Sequence, residues 1–126
     1  MNLKNLQLNG MELVDPGADY SGNQVIYLDF KGANNTAYNN ETLNIHVSGI
    51  NVADSGLDQA GINKVITELN TSFAGSGVSF TVNVPAGKEY STIYIGGTGS
   101  AFAQYGSAIG LSETIDAGNK IKNDNA

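Results

Sequence analysis

The sequence predicts an α+β fold: a mixed, twisted sheet of about five strands with one main amphipathic helix on one face. Three observations carry this expectation. Short segments rich in β-branched and aromatic residues recur along the chain, bounded by Gly, Asn and Pro, as strands are. One stretch switches to the 3.6-residue period of a helix. The strands are half polar, whereas a parallel sheet covered on both faces would give continuous apolar runs, so helices are expected on one face only.

Residues 1–24 read as a lead-in or linker, and residues 25–126 as a single α+β domain. In the lead-in, Leu3, Leu6 and Leu8 suit a short strand or packing on the body, and "DPGADYSGN" is a loop broken by Pro16 and two Gly. "VIYLDF" (Val25 to Phe30) is the first strand. Ile26, Leu28 and Phe30 share one face; Val25, Tyr27 and Asp29 share the other. "KGANNTAYNNE" reads as a polar loop. "TLNIHV" alternates, with Leu43, Ile45 and Val47 inward and Thr42, Asn44 and His46 outward, and is expected as a second strand that forms a hairpin with the first.

The period then changes. Ile62, Val65, Ile66, Leu69 and Phe73 form one stripe of an amphipathic helix, expected from about Leu57 to Ala74. Ser55 and Asp58 fit a weak capping box, with Asp in the place usually taken by Glu. Gly75 suits the left-handed position after the last turn. The stripe is expected in the core, with Lys64 and Glu68 exposed, so Phe73→Ala should cost about 3–5 kcal/mol. "VSFTVNV" (Val78 to Val84) alternates until Pro85 stops it. "STIYIGG" is a strand ended by paired Gly. "TGSAFAQYGSAIG" is a small-residue loop with Phe102 and Tyr105 as anchors, and "LSETI" is a short last strand before the "DAGN" turn. The first strand, the helix and "VSFTVNV" suit a right-handed βαβ crossover.

Composition narrows the function classes. Six Lys face twelve Asp and Glu, for a net charge of −6, and Arg is absent. Such a chain is a poor partner for nucleic acid, which needs clustered cations. The absence of Cys removes disulfides, thiolate metal sites and thiol nucleophiles together. No apolar run is long enough to span a membrane. "MNLKNLQLNG" has no apolar core of a signal peptide, so export would require a signal outside this sequence.

Few residues are candidates for chemistry. His46 is the single histidine, on the polar face of a strand, and reads as a solvated side chain; no H-E-x-x-H or G-x-S-x-G motif accompanies it. Asp29 reads as a strand-end residue bonding a turn. Asp116 and Asn119, with Asn123 and Asp124 beyond, offer oxygens suited to calcium, but their spacing is not that of an EF-hand and a plain turn competes with the ion site. "GGTGS" could present backbone N–H groups to an anion, or be an ordinary loop, since no P-loop Lys follows.

The stretches "VIYLDF", "INKVITELNTSFAGSGVSFTVNVP", "YSTIYIGG" and "GLSETIDAGN" together resemble the N-terminal half of the catalytic domain of secreted bacterial zinc metallopeptidases of the zincin class, metzincin-like in order. In that family a first strand leads to a long helix, two further strands, a Gly-rich loop and an edge strand; one more strand and a helix bearing H-E-x-x-H follow. The resemblance spans about residues 25–119 and rests on element order and phrases. It implies that an extended peptide pairs with the edge strand, here Gly110, Leu111, Ser112, Glu113 and Thr114. It carries no catalytic or metal-binding residue onto this chain: no cofactor is expected here, zinc belongs to a full-length protein, and the chain is expected to be inactive alone. Location would be secreted or at the cell surface of a bacterium. The stretch "KGANNTAYNNETLNIHVSGINVADSG" is longer than a minimal member needs.

The last residues are polar where one more strand would be expected, so the sequence reads as part of a larger domain. The inward sets Ile26, Leu28, Phe30 and Val78, Phe80, Val82 would then lack a cover, and self-association through that core would follow. A binding or adhesion module of a bacterial surface protein is the alternative, suited by low charge and by many Asn, Ser, Thr and Gly residues.

Overall fold

The structure is a computed structural model that describes residues 24–41, 44–106 and 110–113. The fold is α+β, with five strands in two sheets and one main helix. In chain order these are β1 (Gln24–Asp29), β2 (Ala33–Asn40), β3 (Ile45–Val52), α1 (Gln59–Ser72), β4 (Val78–Thr81) and β5 (Ser91–Tyr94), followed by a 3-10 helix, Ser100–Tyr105. The lead-in leucines, Thr42, Leu43, Thr114, Ile115 and the Asp116–Asn119 turn lie outside the described residues.

β1 is the centre of a parallel sheet ordered β4-β1-β5. Ile26 stands opposite Phe80 on one side and Ser91 on the other, while Asp29 stands opposite Tyr94. Because partners across a ladder share a face, Ile26, Leu28, Phe80 and Ile93 lie together, and Tyr27, Asp29, Thr92 and Tyr94 lie opposite. The helix joins the first face, where the rings of Phe73 and Phe80 meet edge to face at 5.2 Å. β1, α1 and β4 thus make the expected crossover between parallel strands. The segment from 82 to 90 returns across the second face, and Tyr90 packs edge-on against Tyr27 at 6.2 Å.

The polar loop expected after β1 is instead a strand. β2 pairs antiparallel with β3, and the partner of "NIHV" is therefore β2 rather than β1. Asn-rich sequence disfavours strands. Here it is tolerated because the register shifts twice, between Ala33 and Thr36 and between Thr36 and Tyr38. Asn35 and Asn44 take left-handed φ angles of 56° and 51°, which Asn accepts more readily than most residues. Tyr38, only 5% exposed, is the large side chain that this strand places inside.

The helix starts and ends inside the expected limits. Asp58, not Ser55, is the N-cap, and its Oδ1 accepts the Gly61 amide at 2.8 Å. Ser55 instead accepts the Leu57 amide at 3.2 Å. Gly75 has the left-handed φ that its position called for, 79°. Ile62, Val65, Ile66 and Leu69 are half-buried, and Lys64 and Glu68 are exposed. Phe73 falls outside the helix at its C-cap and is 42% exposed, so it is not a core residue. Its ring leans on Phe80 at the rim.

Two further boundaries move. β4 stops at Thr81 because the Thr81 hydroxyl takes the Asn83 amide at 3.1 Å in a local turn, leaving Val84 62% exposed. Gly110–Glu113, expected as the start of a strand, has no strand pairing. Among the described residues the buried apolar side chains are Leu28, Phe30 and Tyr38. Leu28 and Phe30 are thus covered, whereas Ile26, Val78, Phe80 and Val82 are half-buried.

Two contacts tie these layers. The Asn70 amide reaches from the helix to the outer edge of β4, donating from Nδ2 to the Phe80 carbonyl at 3.1 Å and accepting the Phe80 amide on Oδ1 at 2.9 Å. A side chain here does what a neighbouring strand would do, and it closes an edge that would otherwise be open. The second contact is the segment Val52–Ser55, which passes from the hairpin to the helix between Gly32 and Gly96. A Cβ at Gly32 would lie 2.5 Å from the Val52 carbonyl oxygen, and one at Gly96 would collide with the Ala53 carbonyl. Ser55 also donates its amide to the Phe30 carbonyl at 2.9 Å.

Two predictions follow from these contacts. Asn70→Ala should lower stability by about 1–2 kcal/mol, the net worth of one or two such bonds. Asn70→Asp should do no better, because a second carboxylate oxygen would face the Phe80 carbonyl; chemical denaturation of the three proteins reads this. Gly96→Ala should cost well over the roughly 1–2 kcal/mol of a strained backbone alone, since backbone atoms must also move. Gly87→Ala is the control, with a φ of 66° but nothing within 4 Å of an added Cβ. Equal losses at the two glycines would show that the close approach at Gly96 is not tight.

Candidate functional site

A cleft of about 430 Å³ opens beyond the carboxyl end of β5. In open parallel sheets this is the end where ligands bind, because the loops diverge there. Each wall comes from a separate element. The hairpin supplies Tyr38 and Ile50 among others, the crossing segment Val52 and Ala53, the end of β5 Tyr94, the Gly-rich stretch Gly96 to Phe102, and the segment after it Gly110 and Leu111. Gly96 and Gly97 let the backbone approach the crossing segment Val52–Ser55, with no side chain of their own in between.

Aromatic contacts set the shape of the other side. Phe102 meets Tyr38 edge to face at 5.1 Å, so it anchors the Gly-rich loop as expected. Tyr105, the other expected anchor, is 47% exposed. The Tyr38 hydroxyl donates to the Ser112 carbonyl at 2.8 Å, and Asn39 donates its amide to Glu113 Oε1 at 2.9 Å. The segment Gly110–Glu113 is therefore held against β2. Gly110 and Leu111 line the cleft; Ser112 and Glu113 bond the hairpin beside it; Thr114 lies outside the described residues.

Of the other candidates, His46 and Asp29 do not line the cleft and the Gly-rich "GGTGS" does. His46 is exposed on β3, opposite Asn39, with Nδ1 3.2 Å from Asn39 Oδ1 and Nε2 3.9 Å from Glu41 Oε2. Asp29 bonds the turn after β1, accepting the Lys31 amide at 2.9 Å, as its position suggested. The "GGTGS" residues form one wall of the cleft. Among the described residues no three His, Cys, Asp or Glu side chains come together as metal ligands, so these residues do not fit a zinc site. Among the same residues no helix is long and apolar enough to cross a membrane. Sequence reasoning missed Tyr38 and Ile50 as site residues, because the first lay in an apparent loop; "TAYNN", with a lone aromatic between small polar residues, was the available signal.

Comparison with protein-family models, with curated proteins and with solved structures finds no match for this chain.

The tyrosines beside the cleft carry a pH signature. Burial first, and then the negative charge of Asp29 with Tyr90 and Tyr94 nearby, raises the Tyr27 phenol above its ordinary value of 10.0. Burial, Asp29, Tyr90 and Glu113, in that order, raise Tyr94. The folded chain holds both protons more tightly than the unfolded chain. Their contribution to stability is therefore complete below about pH 10, the phenol's unperturbed value, and is lost as pH rises through the folded-state pKa. Stability measured by denaturant midpoint should fall above about pH 10, and Tyr27→Phe should make that fall shallower. An unchanged slope in the variant would remove Tyr27 from the account.

Proposed function

We propose that this chain is the N-terminal subdomain of a secreted zinc metalloendopeptidase-like protein, contributing the sheet and a peptide-binding segment and not competent in catalysis alone. One observation carries the reading. Apart from the β2–β3 hairpin, β1, a long helix, two strands flanking β1 and a Gly-rich stretch follow one another in the order the resemblance implies, and the segment expected to meet peptide, Gly110–Glu113, borders the cleft although it is not paired as a strand. The β2–β3 hairpin accounts for the extra length between first strand and helix as a folded insertion. Under this proposal the zinc ligands and the general base are supplied by sequence beyond these residues, as the resemblance implies. The half-buried Ile26, Val78, Phe80 and Val82 belong to the face that such sequence would complete, and self-association of the isolated chain through that face is the accompanying proposal.

The test is an extended polypeptide. The reading frame after Ala126 should encode H-E-x-x-H within a few tens of codons, and the longer product should hydrolyse unfolded protein in a chelator-sensitive manner while the present chain does not. A frame with no such motif sinks the proposal. Sedimentation adds a second reading: the present chain should associate as its concentration rises, and the extended product should be monomeric.

A further inference from the structure

We propose that the hairpin turns this cleft into a pocket for an uncharged, apolar side chain of a peptide lying along Gly110–Glu113. The inference rests on reading that segment as peptide-binding. Nothing in the element order of the resembled family supplies the pocket, because one wall is the β2–β3 insertion.

The first argument is charge. Among the described residues no Lys, Asp or Glu side chain lines the cleft, and neither does His46. A carboxylate entering it would lose water, meet no cation among those residues and face the nearby negative charges of Asp29 and Glu113, which is costly. The second argument is the state of the polar groups on the walls. The Thr36 hydroxyl donates to the Ile50 carbonyl at 3.4 Å, Asn51 Oδ1 accepts the Asn35 amide at 3.1 Å, and the Tyr38 hydroxyl is directed to Ser112. These groups of the hairpin wall serve the hairpin and its neighbour, so on that side and on the facing segment Ile50, Val52, Phe102 and Leu111 form the apolar contact surface, while Tyr94, Thr98 and Ser100 bring hydroxyls to the Gly-rich side. The third argument is size. About 430 Å³ lies within the usual range of small-ligand pockets, roughly 300–1,000 Å³, with room for a large apolar side chain and the peptide groups that flank it. The fourth is continuity: Gly110 and Leu111 belong both to the cleft wall and to the segment that is tied to β2 through Ser112 and Glu113.

The experiment uses the whole 126-residue chain, methyl- and amide-labelled, with two probes: acetyl-Gly-Leu-Gly-amide and acetyl-Gly-Glu-Gly-amide. The leucine probe should give saturable shifts at Ile50, Val52 and Gly97, with a Kd at least tenfold lower than that of the glutamate probe. Ala37→Phe and Ala101→Phe each place a ring in the cleft, and either variant, shown to be folded by an unchanged spectrum around Leu28, should weaken the leucine probe at least tenfold. Absence of saturable shifts, equal affinity for the two probes, or full affinity in a folded filled variant would overturn the inference. The two proposals fail separately. Selective binding of the leucine probe in a protein whose extended frame lacks a zinc helix would overturn the peptidase reading and leave the pocket. Chelator-sensitive hydrolysis by an extended protein whose cleft shows no selectivity would overturn the pocket alone.

Discussion

The passage of Val52–Ser55 between Gly32 and Gly96 is the constraint on which the rest of the structure depends. Both glycines have positive φ, 88° and 147°, and both would drive a Cβ into the backbone of the crossing segment. The amide of Ser55 bonds the carbonyl of Phe30, at the carboxyl end of the central strand. One short piece of chain thereby fixes three things: where the hairpin leaves the sheet, where the helix begins, and how deep the cleft is. Close packing of backbone on backbone leaves little slack, since interiors pack at crystal-like density and cannot absorb even one extra methyl group freely.

The parallel sheet needs such a device because it is small. Of three strands, each four to six residues long, the central one has one deeply buried apolar side chain, Leu28, with Phe30 buried just past its end. Hydrogen bonds from side chains make up part of the remaining order. Asn70 holds the helix to the edge of β4, Gln24 donates to the Ser91 hydroxyl at 2.8 Å across β1 and β5, and Asp58 begins the helix. Polar ties of this kind define geometry more than they add stability, because each replaces bonds to water.

The cleft combines two parts of the chain that differ in character. Its Gly-rich side mixes bare backbone with Thr98, Ser100 and Phe102; its hairpin side mixes Tyr38, Ile50 and Val52 with Thr36 and Asn51. Among the described residues neither side carries a charged side chain.

How much of this was legible in the sequence depends on how local each cause is. The class of the fold, the first strand with its two faces, the existence of the helix, Gly75 after it and the turn role of Asp29 all follow from periodicity or from one residue's own geometry and are found as read, whereas the helical stripe is half-buried rather than core. Asn-rich β2 was not legible, because what makes "ANNTAYNN" a strand is pairing with β3 through two register shifts, a long-range event that overrides a poor local propensity. Phe73 matched the helical stripe, yet the helix stops at Ser72 and its ring is left at the rim, where packing rather than period decides burial. Asn70, Gly32 and Gly96 look like ordinary surface and loop residues in one dimension. Their roles exist only when a helix, a strand edge and a crossing segment are brought within hydrogen-bond or van der Waals distance. The cleft likewise is a product of tertiary structure: its walls are residues 36 to 111, gathered from elements that share no local signal, and only the fold could bring Tyr38 to Phe102 and Leu111.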